Sequence, residues 1–205
     1  MVSPTLEAEK AHLAGLLEAI QRCVYFLEAS DQKHQWPLEA EDLAKHKKEV
    51  ARFESLAAIN ERFAKLQDTL GAAMRHAALL AGELQDAFLK TLAFYEKMGV
   101  LDSIAAWQIC RTTRNLAAHD YETDYAGIAE HFNALHVLLP KLYGNASRFL
   151  YYCQENLGIL PVNGDFADDC AAITRARTAS GTTSGAFGLP IAITTRPVAT
   201  KAADP

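Results

Sequence analysis

The chain has 205 residues, a formal charge of -5 at pH 7, and a composition that is half hydrophobic. That length allows one domain with a real core plus an additional segment. The negative balance excludes bulk electrostatic binding to nucleic acid, so any RNA contact has to be local. No apolar run approaches the roughly 20 residues that span a bilayer, and the start Met1-Val2-Ser3-Pro4-Thr5-Leu6-Glu7 lacks the basic and apolar stretches of a signal peptide. The expected location is the cytoplasm, with no membrane partner.

Ala, Leu and Glu, all strong helix formers, dominate the first three-quarters. The first predicted helix runs from Thr5 to Ala29, with Leu13, Leu17, Ile20, Val24 and Leu27 in one apolar stripe. The polar stretch from Ser30-Asp31 to Trp36-Pro37 reads as a connector. A second helical region spans Glu39 to Ala81. Its early part (Lys45, His46, Lys47, Lys48, Glu49) is polar, and Phe53, Leu56, Ile59, Phe63, Leu66 and Leu70 recur later at helical spacing. Gly71 and Gly82 each mark either a bend or an end. The third helix covers Glu83 to Met98, burying Leu84, Phe88, Leu92 and Tyr95, with Gly99 as its C-terminal cap. Asp102 or Ser103 caps a fourth helix carrying Ile104, Trp107 and Ile109.

Glu122-Thr123-Asp124 is a short acidic turn and cap. A long fifth helix follows, from Tyr125 to Asn156, with Ile128, Phe132, Leu135, Leu138, Leu142, Phe149 and Leu150 on its buried side, a kink expected at Pro140 and a stop at Gly158. From Thr178 to Pro205 the sequence is rich in Ala, Thr, Gly, Ser and Pro without periodicity, and such a segment buries too little to offset its ordering entropy. One short helix is allowed from Asp168 to Arg177. The expectation is an all-α, antiparallel up-and-down bundle of four to five helices over 1–160, followed by a flexible, low-complexity tail over 161–205.

The four cysteines, Cys23, Cys110, Cys153 and Cys170, form no C-x-x-C knuckle, so they read as small buried thiols rather than metal ligands. His131 and His136, five apart, fall on different helix faces and make no metal pair. Glu39, Glu41, Lys47, Lys48 and Glu49 form a solvated face. Gln67-Asp68 is read as surface polarity, in preference to a hydrogen-bonding role towards the fourth helix. There is no P-loop and no G-x-G-x-x-G element.

The end of the fourth helix carries the chemistry: Arg111-Thr112-Thr113-Arg114-Asn115-Leu116-Ala117-Ala118-His119-Asp120-Tyr121. Arg111, Asn115 and His119 are successive i, i+4 neighbours, and Arg114, Ala118 and Tyr121 form the adjoining row, with fraying expected near Asp120. Arg114 can hold a phosphate with a planar fork of donors and stabilise growing charge. His119 can exchange a proton near neutrality, its unperturbed pKa being about 6.5. Asn115 can orient the imidazole or a ribose hydroxyl, Arg111 adds a cation, and Tyr121 offers a phenol. RNA brings its own nucleophile, the 2′-hydroxyl, so neither metal nor cofactor is needed, cleavage leaves a 2′,3′-cyclic phosphate, and DNA is not expected as a substrate. Singly, such residues are usually packed or solvated; their conjunction at fixed offsets is what carries weight.

Arg114, four spacers, His119, one spacer and Tyr121, with Asn115 directly after the arginine, resembles the signature of the HEPN superfamily, and is most similar to the HepT-type toxins that partner minimal nucleotidyltransferases. Phe94-Tyr95-Glu96-Lys97-Met98-Gly99 leading to Trp107 looks like the approach to that motif. The resemblance implies a HEPN-like bundle and a homodimeric, metal-independent endoribonuclease toxin. Arg114 and His119 would be catalytic, with Asn115 as the polar residue that follows the motif arginine; the residue pattern itself puts Arg111, Asn115 and Tyr121 at the substrate. It further implies AMPylation of Tyr121 by a nucleotidyltransferase antitoxin. The alternative is a non-catalytic HEPN subunit that binds a nucleotide or such a partner.

Overall fold

The computed structural model describes residues 4–83, 87–116 and 124–181. Among them are seven α-helices and no strand: α1 (Pro4–Asp31), α2 (Ala40–Lys45), α3 (Val50–Leu80), α4 (Phe88–Lys97), α5 (Ile104–Leu116), α6 (Tyr125–Tyr152) and α7 (Ala167–Gly181). The all-α class expected from the sequence is the observed one. No helix among these residues is long and apolar enough to cross a membrane.

Cross-helix contacts fix the directions. His76 on α3 reaches the carbonyl of Glu9 on α1, while Arg62 reaches that of Phe26, so α1 and α3 are antiparallel. Gln67 contacts Trp107, and Ala64 contacts Arg114, so α5 runs against α3. Asp102, just before α5, pairs with Arg148 of α6, and α7 returns along α1, with Phe166 beside Tyr25 and Arg177 beside Glu28. The long helices thus alternate up and down in chain order, with α2 and α4 as short intervening pieces.

The predicted stripe of α1 is the core: Leu13, Leu17, Ile20, Val24 and Leu27 are all 0% exposed. They meet Ile59, Phe63, Leu66 and Leu70 of α3 and Phe132, Leu135, Leu142 and Phe149 of α6 in one buried cluster. Each such side chain contributes roughly 1.5–3 kcal/mol on leaving water. Cys110, Cys153 and Cys170 are buried in it, and burial pushes their thiols up to about 11, 12 and 11.

Several boundaries move. The expected second helix is two, because the chain turns at His46–Glu49 between α2 and α3. Like charges at Lys45 and Lys48 disfavour a continuous helix, while Asp42 ties the turn by pairing with both His46 (3.0 Å) and Arg52 (2.5 Å). Gly71 is neither bend nor end but lies inside α3. Gly82 (φ +80°) ends α3, and Gly99 (φ +72°) ends α4. In both places the following N–H reaches back five residues, Glu83 to Ala78 and Val100 to Tyr95, which requires the left-handed conformation that glycine adopts without strain. The third predicted helix starts at Phe88 rather than Glu83, and Leu84 lies outside the described residues. Ser103, not Asp102, caps α5 by accepting the Ala106 N–H at 2.9 Å, and Asp124 caps α6 through the Ala126 N–H. The backbone stays helical through Pro140 and continues past Tyr152 as a π-helical turn, Cys153–Leu157. Ile109 is exposed.

The packed body also extends beyond the expected boundary at 160. Helix α7 is longer than the predicted Asp168–Arg177 and lies on α1 and α6, burying Cys170 and Thr174. Its anchor is Arg177. The guanidinium Nε donates to both Glu28 oxygens (3.1 and 3.0 Å) and Nη2 to Asp31, whose other oxygen lies 2.8 Å from His136 Nδ1. Glu28 and Asp31 are 6% and 1% exposed, so composition alone could not indicate that this stretch holds the counter-charge for two buried carboxylates.

Two outcomes follow. Arg177→Ala leaves both carboxylates without their cation, and urea denaturation should show a loss of about 3–5 kcal/mol. His131 lies 3.2 Å from Asn60 Oδ1, and burial holds its imidazole below the ordinary value of 6.5. The unfolded chain therefore binds the proton more readily, so His131 contributes stability above about pH 6.5 that is lost as pH falls towards its folded pKa. Between pH 7 and 5, His131→Gln should lose less stability than the parent.

Candidate functional site

Helix α5 meets α3 where α3 has no side chain. A Cβ on Gly71 would stand 3.2 Å from Phe88 Cζ and 3.6 Å from Trp107 Cζ2, so both rings approach the α3 backbone because residue 71 is glycine. The rings meet edge to face, with centroids 6.2 Å apart. Trp107 is 2% exposed and its carbonyl accepts from Gln67 Nε2 at 2.9 Å, which fixes the height of α5 along α3. Two turns further along α5, Arg114 completes the seam. Its Nη1 donates to the Ala64 carbonyl and its Nη2 pairs with Asp68, both at 2.8 Å.

Between these contacts lies a cleft of about 140 Å³ lined by Gln67, Asp68, Gly71, Arg75, Phe88, Trp107, Arg111 and Arg114. Three guanidinium groups face one carboxylate there. The cleft is a local cationic site on a chain of net charge -5. The guanidinium of Arg75 sits 4.7 Å over the Phe88 ring, a cation–π contact. Arg111 is exposed and has no hydrogen bond or ion pair among the described residues. Arg114 is different. Its side chain is 12% exposed, two of its nitrogens are engaged, and its Nε is buried without a partner among the described residues.

Of the residues singled out in the sequence, Arg111 and Arg114 come together at this cleft. Asn115 is exposed and is not part of its lining. His119 and Tyr121 lie outside the described residues, as do Glu122 and Thr123. The reading of Gln67-Asp68 as surface polarity is corrected, because both residues bind α5. Apolar spacing on α3 had pointed to the helix but not to this use of its polar positions. Arg75 and Phe88 were not picked out as site residues. The available signal was Gly71, since glycine inside a long helix costs about 1 kcal/mol relative to alanine and marks a close approach. His131 and His136 face Asn60 on α3 and Asp31 on α1, and no group of three or more metal-ligating side chains gathers among the described residues.

The Arg114 contacts separate by stability. Asp68 is 66% exposed, so Asp68→Asn should cost under about 1 kcal/mol. Arg114→Ala also removes the charge-assisted bond to the half-buried Ala64 carbonyl and should cost about 1.5–3 kcal/mol in urea denaturation. Equal costs would mean that the carboxylate, not the carbonyl, holds the arginine.

No family model matches the chain, and no curated protein or solved structure matches it either.

Proposed function

We propose that this chain is a HEPN-type, metal-independent endoribonuclease subunit of a toxin–antitoxin pair, acting as a homodimer on RNA. The observation that supports this best is the cleft itself: Arg111 and Arg114 of α5, where the signature begins, line it opposite Arg75 with a single carboxylate among them. Guanidinium groups bind phosphodiesters through paired, charge-assisted hydrogen bonds.

In this reading a base, His119 of one protomer, takes the proton of the 2′-hydroxyl. The 2′-oxygen bonds to phosphorus, the bond from phosphorus to the 5′-oxygen breaks, and an acid returns a proton to that leaving oxygen. His119 of the second protomer, or Tyr121, supplies the acid. Arg114 stabilises the charge that builds on the non-bridging oxygens. Asp68, largely exposed, holds the arginine in place until a phosphate competes for its outer donors. A minimal nucleotidyltransferase that AMPylates Tyr121 would silence such an enzyme.

One observation favours a second reading. Arg114 is already committed to Ala64 and Asp68, as a purely structural arginine would be. That fits a non-catalytic HEPN subunit that binds a nucleotide or a nucleotidyltransferase through the exposed Arg111 and Arg75.

Activity separates the two. The purified protein should degrade RNA in EDTA and leave cyclic phosphate ends, and His119→Ala should slow this about 10²–10⁴-fold with the helical circular dichroism unchanged. Undiminished cleavage by that variant removes His119 from the mechanism, and inactivity of both proteins supports the binding subunit.

A further inference from the structure

Gln67, one of the residues lining the cleft, has a polar atom left unsatisfied among the described residues. The residue is 2% exposed. Its amide orientation is set by Trp107, whose carbonyl can only accept, so Nε2 must face it (2.9 Å) and Oε1 must face away. That oxygen is buried without a hydrogen-bond partner among the described residues. Leaving a buried acceptor unpaired is unfavourable, so a group that donates to it would relieve a standing penalty.

The rest of the lining narrows the kind of donor. Gly71 contributes no side chain, Phe88 and Trp107 supply apolar ring surface, and the Arg75 guanidinium carbon sits 4.7 Å from the Phe88 ring centre. A phosphate has only acceptor oxygens to offer and would be repelled by both Gln67 Oε1 and the Asp68 carboxylate; it belongs at the rim, with Arg111. A flat group with an N–H edge fits the interior. At about 140 Å³ the cleft is smaller than the about 300–1,000 Å³ typical of whole-ligand pockets, so it takes one group of a larger molecule.

We propose that this cleft is a nucleobase subsite: one base of the bound RNA displaces the exposed Arg75 outward from the Phe88 ring, stacks between the two and donates an N–H to Gln67 Oε1, while Arg111 holds the adjoining phosphate. The proposal rests on the RNA-binding reading above and adds to it that the chain senses a base as well as a backbone. Stacking on an aromatic or guanidinium plane combined with a buried hydrogen bond makes the base a substantial part of the affinity. Because every standard base carries an N–H donor, Gln67 favours the presence of a base more than its identity.

The test uses the full chain carrying His119→Ala, so that ligand is not cleaved, and fluorescence anisotropy with two labelled octamers, oligoadenylate and an abasic ribose-phosphate chain of equal length. Oligoadenylate should bind at least about tenfold tighter. Gln67→Met should bring the two within about threefold of each other, mainly by weakening oligoadenylate, and Arg75→Ala, at an exposed position, should narrow the gap in the same direction if Gln67→Met fails to fold. Equal affinity for the two octamers overturns the base subsite and leaves RNA binding through the backbone standing. A base preference untouched by both substitutions places the base elsewhere and overturns the assignment to this cleft. Failure to bind either octamer removes the base subsite together with the RNA reading.

Discussion

The absence of a side chain at Gly71 sets the distance between α3 and the helices beside it. Phe88 Cζ would lie 3.2 Å from a Cβ there, closer than ordinary van der Waals contact. With the rings against the α3 backbone, the Trp107 carbonyl comes within reach of Gln67, and seven residues later Arg114 comes within reach of the Ala64 carbonyl. These bonds are neutral or charge-assisted contacts to backbone acceptors, one buried and one half-buried, so each is sensitive to distance and direction. A larger residue at 71 would lift α5 away and loosen both. The same close approach creates the cleft, because the rings occupy the floor where a side chain from α3 would otherwise project.

Charge is arranged in opposite ways in the Asp31 cluster and at the cleft. Around Asp31 the carboxylates are buried and the cation, Arg177, is brought to them by the last described helix. At the cleft the cations are in excess, with one largely exposed carboxylate among three guanidinium groups. The first arrangement is self-satisfied: Glu28 and Asp31 are fully engaged by Arg177, Gln32 and His136, and a buried pair of this kind resists change because removing one partner strands the other. The second has unspent capacity, in Arg111, in the Nε of Arg114 and in the Oε1 of Gln67. Buried polar atoms without partners are rare in native structures, and among the described residues two of them belong to side chains that line this one cleft.

The helical class and the core were legible in the sequence because both follow from periodicity. The stripe from Leu13 to Leu27 is fully buried, as its spacing requires. Asp124 and Gly99 were also readable, since capping depends on a side chain or a φ angle that few residues supply. The break between α2 and α3 was not, because it depends on Asp42 reaching Arg52 ten residues away. Helix α7 was underestimated for a related reason. Its contribution lies in one arginine and two small buried residues rather than an apolar stripe, and an amphipathic pattern is what sequence reading detects. At the cleft, the arginines of α5 were visible as a motif, whereas Arg75, Phe88 and the roles of Gln67 and Asp68 arise only when α3 and α4 are packed against it.

Arg114 shows why a signature and a scaffold can share one residue. Its contacts cross from α5 to α3, so it stabilises the bundle whatever else it does. An arginine that must also stabilise a transition state gains from being held, because ordering its long side chain in advance removes a conformational cost of up to about 2 kcal/mol from the reacting complex. The same restraint becomes an obstacle if the restraining groups cannot be exchanged for substrate. Here they differ in kind. The Ala64 carbonyl is backbone and fixed, whereas Asp68 is a side chain two-thirds exposed to solvent and can rotate away. In the proposed reading, a phosphate at the rim would meet Arg111 first, and competition for the outer nitrogen of Arg114 would set one charge-assisted bond against another of similar strength. The arginine is anchored on its inner side and exchangeable on its outer side, which is compatible with the phosphate-binding role proposed for it as well as with a structural tie.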